Sequence, residues 1–139
     1  VIFSNGSIGS ITAPSLTSSR IYAGVALSVA QNGALAASTT DIANDAYIDS
    51  ITLGKGAAAF ADSLISADVI YSLQLGKITS ANNSTPEGIS AHTIGRVLGT
   101  LVPGGVINAN AADLKTASKL TAYETKAKLA LGDFEINLF

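Results

Sequence analysis

In the middle of the chain an eight-residue phrase returns after 22 positions: Ile48-Asp49-Ser50-Ile51-Thr52-Leu53-Gly54-Lys55 recurs as Ile70-Tyr71-Ser72-Leu73-Gln74-Leu75-Gly76-Lys77. Apolar and polar residues alternate in both copies, the period of a strand with one buried face. A fixed spacing in strand-like sequence points to a stacked repeat architecture. One unit cannot bury its inward face alone, whereas stacked units share one long core.

The spacing extends in both directions. One register runs Ala26, Ile48, Ile70, Ile94, with steps of 22, 22 and 24 residues. Two positions on, Ser28, Ser50, Ser72 and Arg96 form a polar column, and Val29, Ile51, Leu73 and Val97 form the next apolar one. A second register, Ile21, Ala43, Ile65, Ile89, has the same steps. The longer last step falls on Ser80-Ala81-Asn82-Asn83-Ser84-Thr85-Pro86, whose composition belongs to a surface loop. These registers predict a mainly β fold: a parallel β-solenoid (β-helix) with coils of about 22 residues, in which isoleucine stacks on isoleucine. A β-sandwich or jelly roll also produces short alternating strands, but does not call for equal steps in two registers.

Val102-Pro103-Gly104-Gly105 breaks the pattern. The expected organisation is therefore solenoid coils over residues 1–101, followed within the same domain by a C-terminal helix and capping strand over 102–139. Leu114, Ala117, Leu120 and Thr121 recur at helical spacing between Asn110 and about Ala122, with Asn108 or Asn110 as cap. Phe134, Ile136 and Leu138 alternate with Glu135 and Asn137, as a half-buried strand does. Such a cap covers coil edges that otherwise invite aggregation. Val1-Ile2-Phe3 starts without an evident cap, so head-to-tail filament formation is expected.

Four stretches, Gly6-Ser7-Ile8-Gly9-Ser10-Ile11-Thr12, Ser19-Arg20-Ile21-Tyr22-Ala23-Gly24-Val25, Ala59-Phe60-Ala61-Asp62-Ser63 and Leu131-Gly132-Asp133-Phe134, occur in an order that resembles the C-terminal repeat segments of very large secreted or surface proteins of planctomycete-like bacteria. The resemblance spans most of the chain except residues 102–130. It implies an extracellular or cell-surface β-solenoid without known chemistry, and it carries no functional residues.

The chemistry in the residues is sparse. With 139 residues, 47% of them hydrophobic and 13% charged, the chain is long and apolar enough for one ordered domain. A net charge of −2 gives no electrostatic reason to expect nucleic acid, and no apolar run approaches a membrane span. Cysteine is absent, which excludes disulfides and thiolate metal sites, and the absence of methionine predicts a processed product or a piece of something longer. Lys115, Lys119, Lys126 and Lys128 read as a solvated helix face. His92 is the one histidine, at an outward position; a metal site or triad needs more partners.

Asp41, Asn44, Asp45 and Asp49 form the densest oxygen cluster, a turn that suits calcium in ligand type but lacks the EF-hand spacing with its closing Glu and the nonapeptide Gly/Asp calcium repeat. Asp62 and Asp68, with Asp49 in the register of Tyr71, are candidates for a polysaccharide hydrolase or lyase pair, and Tyr22, Tyr47 and Tyr71 for its sugar platforms. Asn5-Gly6-Ser7, Asn82-Asn83-Ser84 and Asn83-Ser84-Thr85 are glycosylation sequons. The Gly-Lys pairs read as corner turns, because no phosphate-loop motif is present. The expectation is a structural module with no catalytic, cofactor or metal residues, whose partners are copies of itself or other surface and matrix components. A carbohydrate- or matrix-binding module is the alternative, and a polysaccharide-cleaving enzyme the third reading.

Overall fold

The computed structural model describes residues 1–56 and 58–139. Strand accounts for 49% of the chain and helix for 14%, so the mainly β expectation holds. The strands are β1 (Ile2–Ser4), β2 (Ile8–Ala13), β3 (Leu16–Thr17), β4 (Arg20–Ala23), β5 (Tyr47–Leu53), β6 (Phe60–Ala61), β7 (Leu64–Thr79), β8 (Glu87–Ile94), β9 (Arg96–Val102), β10 (Gly105–Asn110) and β11 (Phe134–Leu138). They form one 11-stranded sheet whose parallel strands curl into a half-barrel. At its centre, β7 is flanked by β4, β5 and β6 on one edge and by β8 and β9 on the other. Every pairing among the named strands is parallel except β9–β10.

The cross-strand registers line up inward-facing aliphatic columns. Ile2, Ile21, Ile65, Ile89 and Ile136 follow one another across β1, β4, β7, β8 and β11. Ile8, Ile48, Ile70 and Ile94 make a second column. Ile11, Ile51, Leu73 and Val97 make a third, and Leu16, Phe60, Ile78 and Leu101 a fourth. The middle members are fully buried, each stabilising the fold by about 1.5–3 kcal/mol relative to exposure.

Half of the expected register is therefore right and half is displaced. Ile48 does stack on Ile70 at a step of 22, and Ile70 on Ile94 at 24, with the longer step absorbed by the loop at 80–86. Ala26, Ser28 and Val29, however, do not precede Ile48, Ser50 and Ile51; Ile8, Ser10 and Ile11 do, 40 residues earlier. Ala43 is likewise absent from its column, because Ile21 pairs directly with Ile65 at a step of 44. The cause is residues 24–46, which leave the sheet. Gly24 turns the chain with φ of 68°, where a Cβ would lie 2.2 Å from the Asn44 carbonyl oxygen. Helix α1 (Leu27–Asn32) and a 3₁₀ turn (Thr39–Asp41) follow.

This excursion folds back over the outer face of the sheet. Beneath it lie Tyr22, Ser66, Ser90 and Asn137, which are cross-strand neighbours. The Tyr22 hydroxyl donates to the Ala34 carbonyl at 3.0 Å, the Ala36 N–H donates to Ser66 Oγ at 3.3 Å, and Asn137 Nδ2 donates to the Ala36 carbonyl at 3.2 Å. Ser66 and Ser90 share a hydrogen bond of 2.7 Å. Both faces of the sheet are therefore buried here, and the polar row is satisfied internally, as burial requires.

The C-terminal part departs from a helix and strand alone. Val102-Pro103-Gly104-Gly105 is a hairpin turn leading into β10, so strand continues well past residue 101. The helix is α2 (Ala117–Ala127), later than the expected 110–122. Asn110 closes the end of β10, with its side chain accepting from the Ala112 N–H; Thr116 is the cap, accepting from the Lys119 N–H at 3.2 Å. Residues 134–138 form the expected half-buried strand, parallel to β8. No helix of the described residues is long and apolar enough to cross a membrane.

Candidate functional site

The two ends of the sheet differ in how their edges are treated. At the N-terminal end β1, β2 and β3 each have one ladder partner among the described residues (β4, β5 and β6), so three successive strand edges are left open there. Val1, Ile2 and Phe3 are exposed there, and Ile8, Ile11 and Leu16 are half-buried, because the columns above them have no neighbour below. At the other end α2 lies on β10. Leu120 enters the core near Leu114, and the Tyr123 hydroxyl accepts the outward N–H of Asn108 at 2.7 Å. That cover stops short of β11, whose one ladder partner is β8. The five-isoleucine column thus ends in an open strand on both sides.

The residues singled out in the sequence do not gather into one site. His92 is exposed, and its Nδ1 lies 3.4 Å from Asp68 Oδ1. Among the described residues neither side chain hydrogen-bonds a hydroxyl. Asp62 and Asp68 are engaged separately: Asp62 Oδ2 accepts from the Ser18 hydroxyl at 2.7 Å, stacking two left-handed corners, while Asp68 faces His92. Asp49 accepts from the Ser10 hydroxyl at 3.1 Å. Asp41 caps the 3₁₀ turn, its Oδ2 accepting from the Ala37 and Ser38 N–H groups. Asn44 and Asp45 are exposed beside that turn. Among the described residues no three His, Asp or Glu side chains converge as a metal ion requires. Of the tyrosines, Tyr22 is buried under the excursion, and burial pushes its hydroxyl above the usual range despite Arg20 nearby. Tyr47 and Tyr71 are exposed as a tilted pair with ring centroids 5.5 Å apart.

Sequence reasoning passed over Glu87. It opens β8 where the other strands of the column carry Ser63 and, below it, Ser19. The residue is fully buried. Its Oε2 accepts from the Asp62 N–H at 2.7 Å, and its Oε1 has no hydrogen-bond partner. Burial, with the Asp133 and Asp62 carboxylates close by, pushes the carboxyl up to about 7, against the lowering effect of the Asp62 N–H. Asp133 belongs to the turn that delivers β11, where its Oδ2 accepts from the Asn82 and Ser84 N–H groups. One signal was available: Glu87-Gly88-Ile89-Ser90-Ala91 repeats Ser63-Leu64-Ile65-Ser66-Ala67 with an acid in place of serine.

Comparison with known protein families, curated proteins and solved structures finds no match for the chain.

Proposed function

We propose that this chain is a non-catalytic structural module of an extracellular or cell-surface protein. In this reading its stacked ladders are successive coils of a parallel β-solenoid, and copies join head to tail. The observation that supports it is the column Ile2, Ile21, Ile65, Ile89, Ile136, bounded on both sides by a strand with one free edge. Open edges template further pairing. A parallel contact of β1 from one copy with β11 of the next continues the column by setting Ile2 against Ile136. Such a contact joins two different surfaces and so propagates. The surface location rests on the resemblance of the four ordered segments to repeats of secreted planctomycete-like proteins. Light scattering over a concentration series tests assembly. The mass rises with concentration for the native sequence and stays monomeric for Ile2→Lys; a native chain that remains monomeric at high concentration refutes the head-to-tail reading.

A second reading, a carbohydrate- or matrix-binding adhesin module, is favoured by the exposed Tyr47–Tyr71 pair, since aromatic faces left in solvent suit sugar rings. A glycan array with the native chain and Tyr71→Ala decides it: binding lost in the variant supports the reading, and no binding at all removes it.

A further inference from the structure

The Gly-Lys phrases that close both copies of the repeat do more than turn corners. Two outward rows cross the sheet beside them. One is Gln74, Leu98 and Asn108, and the other Lys77, Thr100 and Val106. Between the rows β7 carries a bulge, so that Leu75 and Gly76 stand opposite the single Gly99. Gly76 holds φ of 64°, and a Cβ on it would lie 2.2 Å from the Gly54 carbonyl oxygen. No side chain of the bulge rises between the rows: Leu75 is fully buried, and the Cβ positions of Gly76 and Gly99 point at the Gly54 backbone and at the buried Ile78 side chain. The result is an open trough of about 490 Å³, extended at one end by Leu53 and Lys55.

Three properties narrow what such a trough accepts. Its lining contains Lys55 and Lys77 and no carboxylate, in a chain whose net charge is −2. Among the described residues the one ion pair is His92 with Asp68, so both ammonium groups are uncommitted. Neutral donors, the Gln74 and Asn108 amides and the Thr100 hydroxyl, alternate with the apolar surfaces of Leu98 and Val106. Finally, β7 and β9 are paired on both edges at this place, so the floor of the trough offers no ladder groups to an added peptide strand. Recognition must therefore run through side chains that combine positive charge, hydrogen bonding and apolar contact.

We propose that this trough binds an acidic polysaccharide, its carboxylates on Lys55 and Lys77 and its ring faces on the apolar strip. The proposal gives the matrix-binding reading a ligand class and a site of its own. It does not involve β1 or β11, so it stands or falls separately from head-to-tail assembly. Calorimetric titration of the native chain with oligogalacturonate at low salt is expected to saturate and to weaken as salt is raised. Lys55→Ala and Lys77→Ala each weaken binding by about tenfold, the loss of one charge-assisted hydrogen bond. Both side chains are exposed, so circular dichroism is expected to show an unchanged fold. The distal pair Lys115→Ala and Lys126→Ala leaves the affinity as it was. The proposal is overturned by any of four results: no binding, equal binding of oligoglutamate, equal loss in the distal lysine variants, or binding of a neutral glucan that depends on Tyr71 and not on the lysines.

Discussion

The two ends of the sheet solve the same problem differently. At the C-terminal end the sheet is partly closed: α2 lies on β10, and Tyr123 takes the Asn108 N–H that would otherwise face outward, while β11 keeps a free edge. Around Ile2 no element of the described residues covers β1, β2 or β3, and Val1 is 87% exposed. Under the proposed head-to-tail assembly, the paired middle of the sheet supplies stability and its free edges supply interaction. Positions along one column have the same chemistry, so the difference between them is the number of neighbours each has.

The largest expected effect comes from the middle of that column. Ile65→Ala removes a fully buried side chain with neighbours on both sides, and is expected to cost about 3–4 kcal/mol in denaturant unfolding of the monomer. If Ile65→Ala costs no more than a change at the open end, the column is not the spine of the fold.

Next is the buried acid that opens β8. The Glu87 carboxyl in the folded chain titrates near 7, above its ordinary 4.5, so the folded state keeps a proton that the unfolded chain has lost. Stability is then full below about pH 4.5, falls as pH rises through about 7, and levels off above it. The fall is on the order of 2 kcal/mol once solvent screening is allowed for. Glu87→Gln keeps the site neutral and is expected to flatten the profile between about pH 4.5 and about pH 7, measured as denaturant midpoint against pH. A profile that keeps its slope in the variant assigns the titration elsewhere.

How much of this was legible beforehand follows from where the repeats are adjacent. Ile48, Ile70 and Ile94, and Ile51, Leu73 and Val97, were readable because consecutive turns of the chain are in direct contact. The first turn was not. The excursion over residues 24–46 makes the step from Ile21 to Ile65 equal to 44, twice the local period, so Ala43 fell into register by length alone. Its small apolar residues, Ala26, Val29 and Ala43, imitate a strand while forming a helix and loops. The half-barrel's outer face was unreadable for the same reason: Ser66 and Ser90 are polar residues in alternating strands, and only the excursion makes them buried. The trough depends on a bulge, which alternation does not encode. Glu87 was visible only as an acid in a serine column.

Two smaller effects sharpen the difference between the ends. Tyr123→Phe strands the Asn108 N–H at the covered edge and is expected to cost about 1 kcal/mol. Hydrogen exchange at Asn108 is the direct readout: faster exchange in the variant is expected, and unchanged protection contradicts the role given to the hydroxyl. Ile2→Ala, at a half-exposed position, is expected to change monomer stability by less than about 1 kcal/mol while weakening self-association, read by sedimentation equilibrium. Loss of stability without loss of association would reverse the functions assigned to the two ends.

Cross-linking at the ends tests the central claim most directly. With no native cysteine in the chain, Val1→Cys and Glu135→Cys each carry one unambiguous thiol. Both native residues are exposed, and the continued register sets Val1 of one copy against Glu135 of the next, just before Ile2 meets Ile136. A short bis-maleimide is predicted to give dimers when the two single variants are mixed, and a ladder of multimers from the double variant. Monomers throughout, or dimers from Val1→Cys alone, would contradict head-to-tail continuation of the column.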